Sequence, residues 1–286
     1  MTTMPGAAVV ASQTVLGMIL LRGLGMRVKG VVLATTIVFV AGSAELAKAT
    51  DIRVYSAGAP AEAAKVIGSQ FEKNGDNHVS VAVGPPAAIQ ADLATGSKID
   101  VVILPRPIVT SLTGSGVLRS DSAINVSRVG IGVVVRAGAP APDIADVTAI
   151  RQLLSNAHSI AYPDPAETSG GSTGLAIARM IEKLGMTDTV RPKLTVKSAI
   201  GGGVALVASG AAEVGIFNIS EILPVKGVTL VGPLPSDLQN YILFTAAVPV
   251  KSNAPETASA YIKRLADPAA GPVWQRAGLE PVAAAR

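Results

Sequence analysis

Residues 169–174 read SGGSTG, a run of glycines and hydroxyl side chains just before a segment with apolar residues at helical spacing. Glycines let the backbone fold closely around a ligand, and the first N–H groups of a helix have no partner within it. We therefore interpret this run as an anion-binding loop at a helix N-terminus. A single hydroxyl capping the helix is the alternative. The candidate ligand contacts are Ser169, Gly170, Gly171, Ser172 and Thr173.

The same run contains the G-x-S-x-G spacing of a nucleophilic serine, with Ser172 at its centre. In that motif the serine directly follows a strand, and the partner histidine comes later in the chain. Here His78 and His158 both precede Ser172, and the nearest predicted strand ends about ten residues before it. The order of these residues argues against a serine hydrolase. The nucleotide-binding G-x-x-x-x-G-K-[ST] pattern is absent from the sequence.

Two further segments could contact a ligand. The sequence SAIGGG at 198–203 lies between a predicted strand and a predicted helix, so Ile200 and Gly201 could present helix N–H groups. Close packing of the helix on the sheet would equally favour these glycines. Arg106 follows a buried strand in ILPRP, where α/β sheets bind ligands, and arginine suits carboxylates. A solvated surface arginine is the alternative for Arg106.

The first 49 residues have the pattern of an export signal. Arg27 and Lys29 precede an apolar run at 30–42, and Ala47-Lys48-Ala49 fits a signal-peptidase site. The apolar run is shorter than the roughly 20 residues that span a membrane. We expect cleavage after Ala49 and a periplasmic protein, and we interpret residues 1–25 as the product of a misassigned upstream start codon.

Composition excludes several classes of protein. Residues 1–49 hold four of the 24 basic and one of the 20 acidic residues, which leaves 20 against 19 in the mature part. This near-neutral charge and an aromatic content of 3% argue against a nucleic-acid partner. With no cysteine and two histidines, the chain lacks disulfides and Cys/His zinc sites. We expect neither a metal nor a cofactor.

Predicted strands and helices alternate from residue 51 onwards, as in α/β proteins. Two long apolar stretches, 129–138 and 241–250, are interpreted as crossings between two lobes. We predict lobe I from residues 50–128 plus 241–286 and lobe II from residues 129–240. Each lobe is expected to be a mixed, mostly parallel sheet flanked by helices. The ligand cleft is expected between the lobes.

Several segments, taken in order, resemble the periplasmic molybdate-binding proteins of ABC transporters, which are type II periplasmic binding proteins. They are IRVYSAGAPAEAAKVIGSQFEK, AAIQADLATGSKIDVVI, AYPDPAETSGG, GGGVALVASGAAEVGIFNIS and YIKRLADPAAGPVWQRAGLEP. The resemblance covers residues 52–282. It implies a two-lobed binding protein, a small anionic ligand, an inner-membrane ABC permease as partner and a monomeric state.

The resemblance also implies a ligand site. The family's two oxyanion-binding serines fall on Ala59 and Pro86, and its pocket tyrosine falls on Asn218. Gly58 and Gly84 are neighbouring expected contacts. Alanine lacks a hydroxyl group and proline lacks an N–H group, so a tetrahedral oxyanion loses donors here. The interpretation is therefore a carrier for a di- or tricarboxylate rather than for molybdate.

The alternative function is enzymatic, because this branch also resembles periplasmic aconitate isomerase. An allylic proton shift on a tricarboxylate needs a base near the ligand carbon. Glu221 and Glu167 are the candidate catalytic residues, followed by Asp164 and His158. Each of the four could instead be an ordinary surface or turn residue, and the carrier stays the first interpretation.

Overall fold

The structure is a computed structural model that describes residues 50–73, 77–163, 171–195 and 202–282, without the side chains of residues 171, 172 and 202. Strands and helices follow one another in this order: β1 (Asp51–Ser56), α1 (Gly58–Glu72), β2 (His78–Val83), α2 (Pro86–Thr95), β3 (Val101–Pro105), α3 (Arg106–Gly114), β4 (Ile124–Val129), β5 (Ile131–Arg136), α4 (Val147–Asn156), β6 (Ile160–Ala161), α5 (Gly171–Lys183), α6 (Thr187–Val190), α7 (Gly202–Ser209), β7 (Val214–Asn218), α8 (Ile219–Ile222), β8 (Val228–Pro233), β9 (Ile242–Ala247), α9 (Pro255–Leu265), α10 (Gly271–Arg276) and β10 (Glu280–Pro281).

Local sequence signals set many of these boundaries. Helix α2 begins with Pro86, whose missing N–H costs nothing at that position, and ends before Gly96, which has a φ of 81° that favours glycine. Alternation and β-branching in HVSVAV predict a strand at 78–83, and β2 has these bounds. The sequence KLTVKSA at 193–199 also predicts a strand, but among the described residues it forms only a single bridge, between Leu194 and Ile160. Its last residues lie outside the described part of the chain.

The strands form two sheets, and each sheet has its own apolar core. The first sheet has the order β10-β4-β9-β3-β1-β2, and the second has the order β6-β7-β5-β8. The first core contains Trp274 and Tyr261, both fully buried, against the strand residues Ile52 and Leu104. The second sheet packs on two smaller apolar clusters of its own. None of the helices in the described ranges is long and apolar enough to cross a membrane.

The two-sheet α/β architecture is confirmed, but parallel pairing does not dominate it. Parallel pairs are β1–β2, β1–β3 and β6–β7. The pairs β3–β9, β4–β9, β4–β10, β5–β7 and β5–β8 are antiparallel. Strand β9 returns from the second sheet and inserts between β3 and β4. The alternation of strands and helices does not indicate this insertion, because no crossover helix precedes β9.

The chain passes between the sheets twice. The first crossing is at Gly130, between β4 and β5, and the second lies between β8 and β9 at residues 234–241. Both crossings lie near the predicted lobe boundaries, and the boundaries themselves stay a prediction.

A buried carboxylate links the first sheet to a loop by hydrogen bonds. Asp100 is 5% exposed and accepts hydrogen bonds from the N–H of Arg53 (3.0 Å), the N–H of Asn253 (3.1 Å) and the hydroxyl of Ser252 (2.8 Å). It thereby connects β1 to the loop before α9, whose Ser252 is 152 residues from Asp100 in the chain.

We predict that Asp100→Ala lowers the free energy of unfolding by about 3 kcal/mol, because it leaves buried donors without an acceptor. Urea unfolding followed by circular dichroism measures this change. The matched control is Asp121→Ala, since the Asp121 side chain is exposed and its contact with Arg119 is long at 3.5 Å. Equal urea midpoints for the two variants would contradict the role of Asp100.

Candidate functional site

Three helices begin at one edge of the first sheet. Strands β2, β1 and β3 are parallel neighbours, so their carboxyl ends lie at the same edge, and α1, α2 and α3 start directly after them. The N-cap residues Ala57, Pro85 and Pro105 have no polar side chain, and no side-chain capping bond is made at these helices within the described ranges. Their first N–H groups and helix dipoles therefore favour an anion at this edge.

The residues predicted from the first lobe all lie at this edge. Gly58 is exposed, and a Cβ atom there would meet nothing within 4 Å, so packing does not demand the glycine. Ala59 is the second residue of α1 and is partly buried. At Gly84 a Cβ atom would lie 2.7 Å from the hydroxyl of Tyr55, so the glycine makes room for the phenol. Pro86 begins α2.

Arg106 is the first residue of α3 and is exposed. Its positive charge therefore lies beside an uncapped helix N-terminus, whose dipole repels a cation. An anionic ligand at this position would be attracted by the guanidinium and by the helix N-terminus. This placement agrees with the prediction that Arg106 follows the buried strand β3.

In the second sheet, Asn218 joins three elements. Asn218 ends β7 and is 5% exposed. Its Nδ2 donates to Thr173 Oγ1 in the first turn of α5 (2.8 Å) and to Glu221 Oε1 in α8 (2.8 Å). The structure thus brings Thr173, predicted from one segment of the sequence, to Asn218 and Glu221, predicted from another.

This cluster contains buried polar atoms without partners. Asn218 Oδ1 and Ser220 Oγ are buried and make no hydrogen bond to any residue that the structure describes. Unpaired buried polar atoms are rare in proteins and often mark functional positions. The sequence interpretation missed Ser220. The one feature of the sequence that points to this residue is its position between Asn218 and Glu221, after a buried strand.

The environment of Glu221 favours its protonated form. Burial raises the pKa of the Glu221 carboxyl, and the hydrogen bond from Asn218 opposes this rise only in part. A carboxyl group of this kind can exchange a proton closer to neutral pH than an exposed glutamate can.

His158 does not belong to the cluster. It precedes β6, whose parallel neighbour β7 has Asn218 at its opposite end, so His158 lies at the other edge of the sheet. Its N–H donates to Glu213 Oε2 (2.8 Å), and this bond lowers the pKa of Glu213. The direction of β6 and β7 thus separates His158 from Asn218 and Glu221, and a single site at this cluster would not include it.

Several predicted residues lie outside the described part of the chain: Asp164, Glu167, Ser169, Gly170, Ile200 and Gly201. Gly171 and Ser172 begin α5, and the structure describes their backbone only. Among the residues it describes, no group of three or more His, Asp or Glu side chains could hold a metal ion.

We predict that Glu221→Gln stabilises the protein at pH 7. The pKa of Glu221 is raised in the folded state, so the folded protein binds this proton more tightly than the unfolded chain. The stability that this proton contributes is fully present below the pKa of Glu221 in the unfolded chain, about 4.5. It is lost as the pH rises through the pKa of the folded protein. Glutamine avoids that loss and can still accept from Asn218.

Urea unfolding at pH 7 and pH 4.5 measures the effect, and the gain should shrink at the lower pH. Glu182→Gln, at an exposed position of α5, is the control. A gain that is equal at both pH values would contradict a raised pKa of Glu221.

Comparison with known proteins identifies the family of this chain. The family model of the bacterial extracellular solute-binding proteins matches residues 52–280. An aconitate isomerase from a Pseudomonas species is 30% identical over 243 residues, which cover 82% of this chain and 89% of the relative. The molybdate-binding protein of Escherichia coli K12 is 26% identical over 243 residues, which cover 84% of this chain and 92% of that protein.

A solved structure shares the fold. The substrate-binding domain of a putative molybdenum ABC transporter from Clostridium difficile superposes with a TM-score of 0.70 at 17% identity, covering 82% of this chain and all of that domain. The matched region holds both sheets and all the described site residues. This chain therefore belongs to the family of bacterial extracellular solute-binding proteins.

Proposed function

We propose that this protein binds a small di- or tricarboxylate between its two lobes and delivers it to an ABC permease. The observation that carries the proposal is the position of Arg106 beside the uncapped N-termini of three helices at one sheet edge. Backbone N–H groups and one guanidinium suit several carboxylate groups spread over one ligand. Ala59 and Pro86 supply no hydroxyl donors, which disfavours a compact oxyanion such as molybdate.

The remaining parts of the proposal follow from the family. Family membership supports export, and the proposed cleavage after Ala49 would release a periplasmic monomer that needs no metal or cofactor. On the second sheet, the proposed contacts are Thr173, Asn218 and the SGGSTG loop. Closure of two lobes around a ligand is a recognised motion of such binding proteins.

We predict that citrate, tricarballylate and cis-aconitate raise the melting temperature, whereas molybdate at the same concentration does not. A ligand at about 100 times its dissociation constant adds about 2.7 kcal/mol of stability. A thermal-shift panel with the mature protein measures this. Stabilisation by molybdate or tungstate alone would overturn the assignment of the ligand class.

The variant arm of the same panel uses Arg106→Ala, which should weaken the best carboxylate roughly ten- to hundredfold through loss of a charge-assisted contact. Arg276→Ala, at an exposed position in the last turn of α10, should leave the affinity unchanged. Equal affinities for the two variants would remove Arg106 from the site.

A second candidate function is isomerisation of an aconitate-like tricarboxylate. Two observations favour it: the raised pKa of Glu221 beside Asn218, and the 30% identity to an aconitate isomerase. In this reaction the Glu221 carboxylate would remove a proton from the methylene carbon, the double bond would shift, and the proton would return to the former vinylic carbon. Helix N–H groups and Arg106 would stabilise the delocalised negative charge.

As an isomerase, the protein would convert cis-aconitate to the trans isomer, and Glu221→Gln would abolish turnover while keeping the thermal shift. Proton NMR in heavy water follows both the conversion and any deuterium at the methylene carbon. Glu182→Gln, on the exposed face of α5, is the matched control. If the wild type shows no turnover, only the carrier function remains. Unchanged turnover in Glu221→Gln would exclude Glu221 as the base.

A further inference from the structure

One peptide unit at the first crossing is held from both sides. The N–H of Ile131 donates to Gln239 Oε1 (2.8 Å), and the carbonyl of Gly130 accepts from the N–H of Ile219 (3.0 Å). These two groups belong to the same Gly130–Ile131 peptide, which is planar and rigid. A rotation of that plane would therefore break both bonds together.

Gln239 joins the two crossings through its side chain. It lies between β8 and β9, whereas Ile131 is the first residue of β5. Besides accepting from the Ile131 N–H, Gln239 donates through Nε2 to the Ile131 carbonyl (2.9 Å) and, over a longer distance, to the Leu234 carbonyl (3.4 Å). One carboxamide thus bonds both backbone groups of Ile131.

Gly130 allows this close approach. A Cβ atom at Gly130 would lie 3.2 Å from Gln239 Nε2 and 3.2 Å from Cε1 of Tyr241, which is tighter than ordinary contact. The Tyr241 ring is itself covered by the Arg128 guanidinium at 3.9 Å, and Arg128 pairs with Glu280 at 2.6 Å. The peptide is therefore packed from the side of the first sheet as well.

The other partner of this peptide leads to the candidate site. Ile219 begins α8 and directly follows Asn218, and Glu221 is two residues further. Gly278, which has a φ of 77°, contacts the same turn from the C-terminal segment, since a Cβ atom there would lie 2.9 Å from the backbone N of Ser220. The start of α8 is thus confined between the crossing and the C-terminal segment.

We propose that Gln239 is a positioning residue, which fixes the turn Asn218–Glu221 through the Gly130–Ile131 peptide and so sets ligand affinity without touching the ligand. The effect on affinity rests on the proposed ligand site at Asn218 and Glu221. The coupling of Gln239 to Ile219 is a property of the fold and stands independently of the ligand.

The test is amide hydrogen exchange in the full mature protein. Gln239→Ala should speed exchange of the Ile131 and Ile219 amides about tenfold, while amides of the first sheet such as Val54 stay unchanged. Gln239→Glu keeps an acceptor for the Ile131 N–H but loses the Nε2 donor, so it should give a smaller effect. It also provides a second variant where Gln239→Ala folds poorly.

Two controls separate positioning from a general loss of stability. Gln152→Ala, at an exposed position of α4, should change neither exchange nor binding. Ile150→Val removes a methylene group from the second core and lowers stability, and it should leave the local exchange of Ile219 and the affinity unchanged.

Binding is measured with cis-aconitate as the probe, and Gln239→Ala should weaken it about fivefold or more. Unchanged exchange at Ile219 in both Gln239 variants would overturn the coupling. Faster exchange with unchanged affinity would reduce Gln239 to a structural residue and also overturn the proposal. If the wild type binds no tricarboxylate, the proposed function fails, and the exchange of Ile219 still decides whether Gln239 controls this turn.

Discussion

The direction of the parallel strands determines where the candidate ligand-binding groups of this protein come together. Neighbouring parallel strands end at the same edge of a sheet, and the helices that follow them must begin there. In the first sheet this places the N-termini of α1, α2 and α3 together, and in the second it places Asn218 at the carboxyl end of β7. The donors that the first sheet offers at this edge are thus mainly backbone groups, which the fold supplies without specialised side chains.

The side chains at these strand ends then determine what the site can do. Arg106 brings a permanent positive charge to the first edge, while the second edge has a partly buried carboxyl in Glu221 and a hydrogen-bonded Asn218. A cation and N–H groups serve both to hold a carboxylate and to stabilise a carbanion next to one. The proposed binding and the proposed isomerisation would therefore use the same groups of this chain, and they differ in whether Glu221 reaches a ligand carbon.

The polar groups of the second edge carry a cost in stability. Asn218 uses both amide hydrogens to hold Thr173 and Glu221, and its own oxygen has no partner in the described part of the chain. An unpaired buried acceptor and a desolvated carboxyl each disfavour folding. The separate apolar clusters of the second sheet offset this cost, and the contact of α8 with the Gly130 carbonyl holds the turn in place.

The sequence by itself determined the local elements and the family. Alternation and β-branching in HVSVAV identified β2, the proline and glycine around α2 identified its ends, and the order of several segments identified the binding-protein family. These signals are readable because they act between residues close in the chain. Tertiary structure alone decided the insertion of β9, the meeting of Thr173 with Asn218, the separation of His158 from Asn218 and the contact of Gln239 with Ile131. Each of these joins residues that are 45 to 108 positions apart or depends on strand direction, and neither propensity nor spacing encodes which distant groups meet.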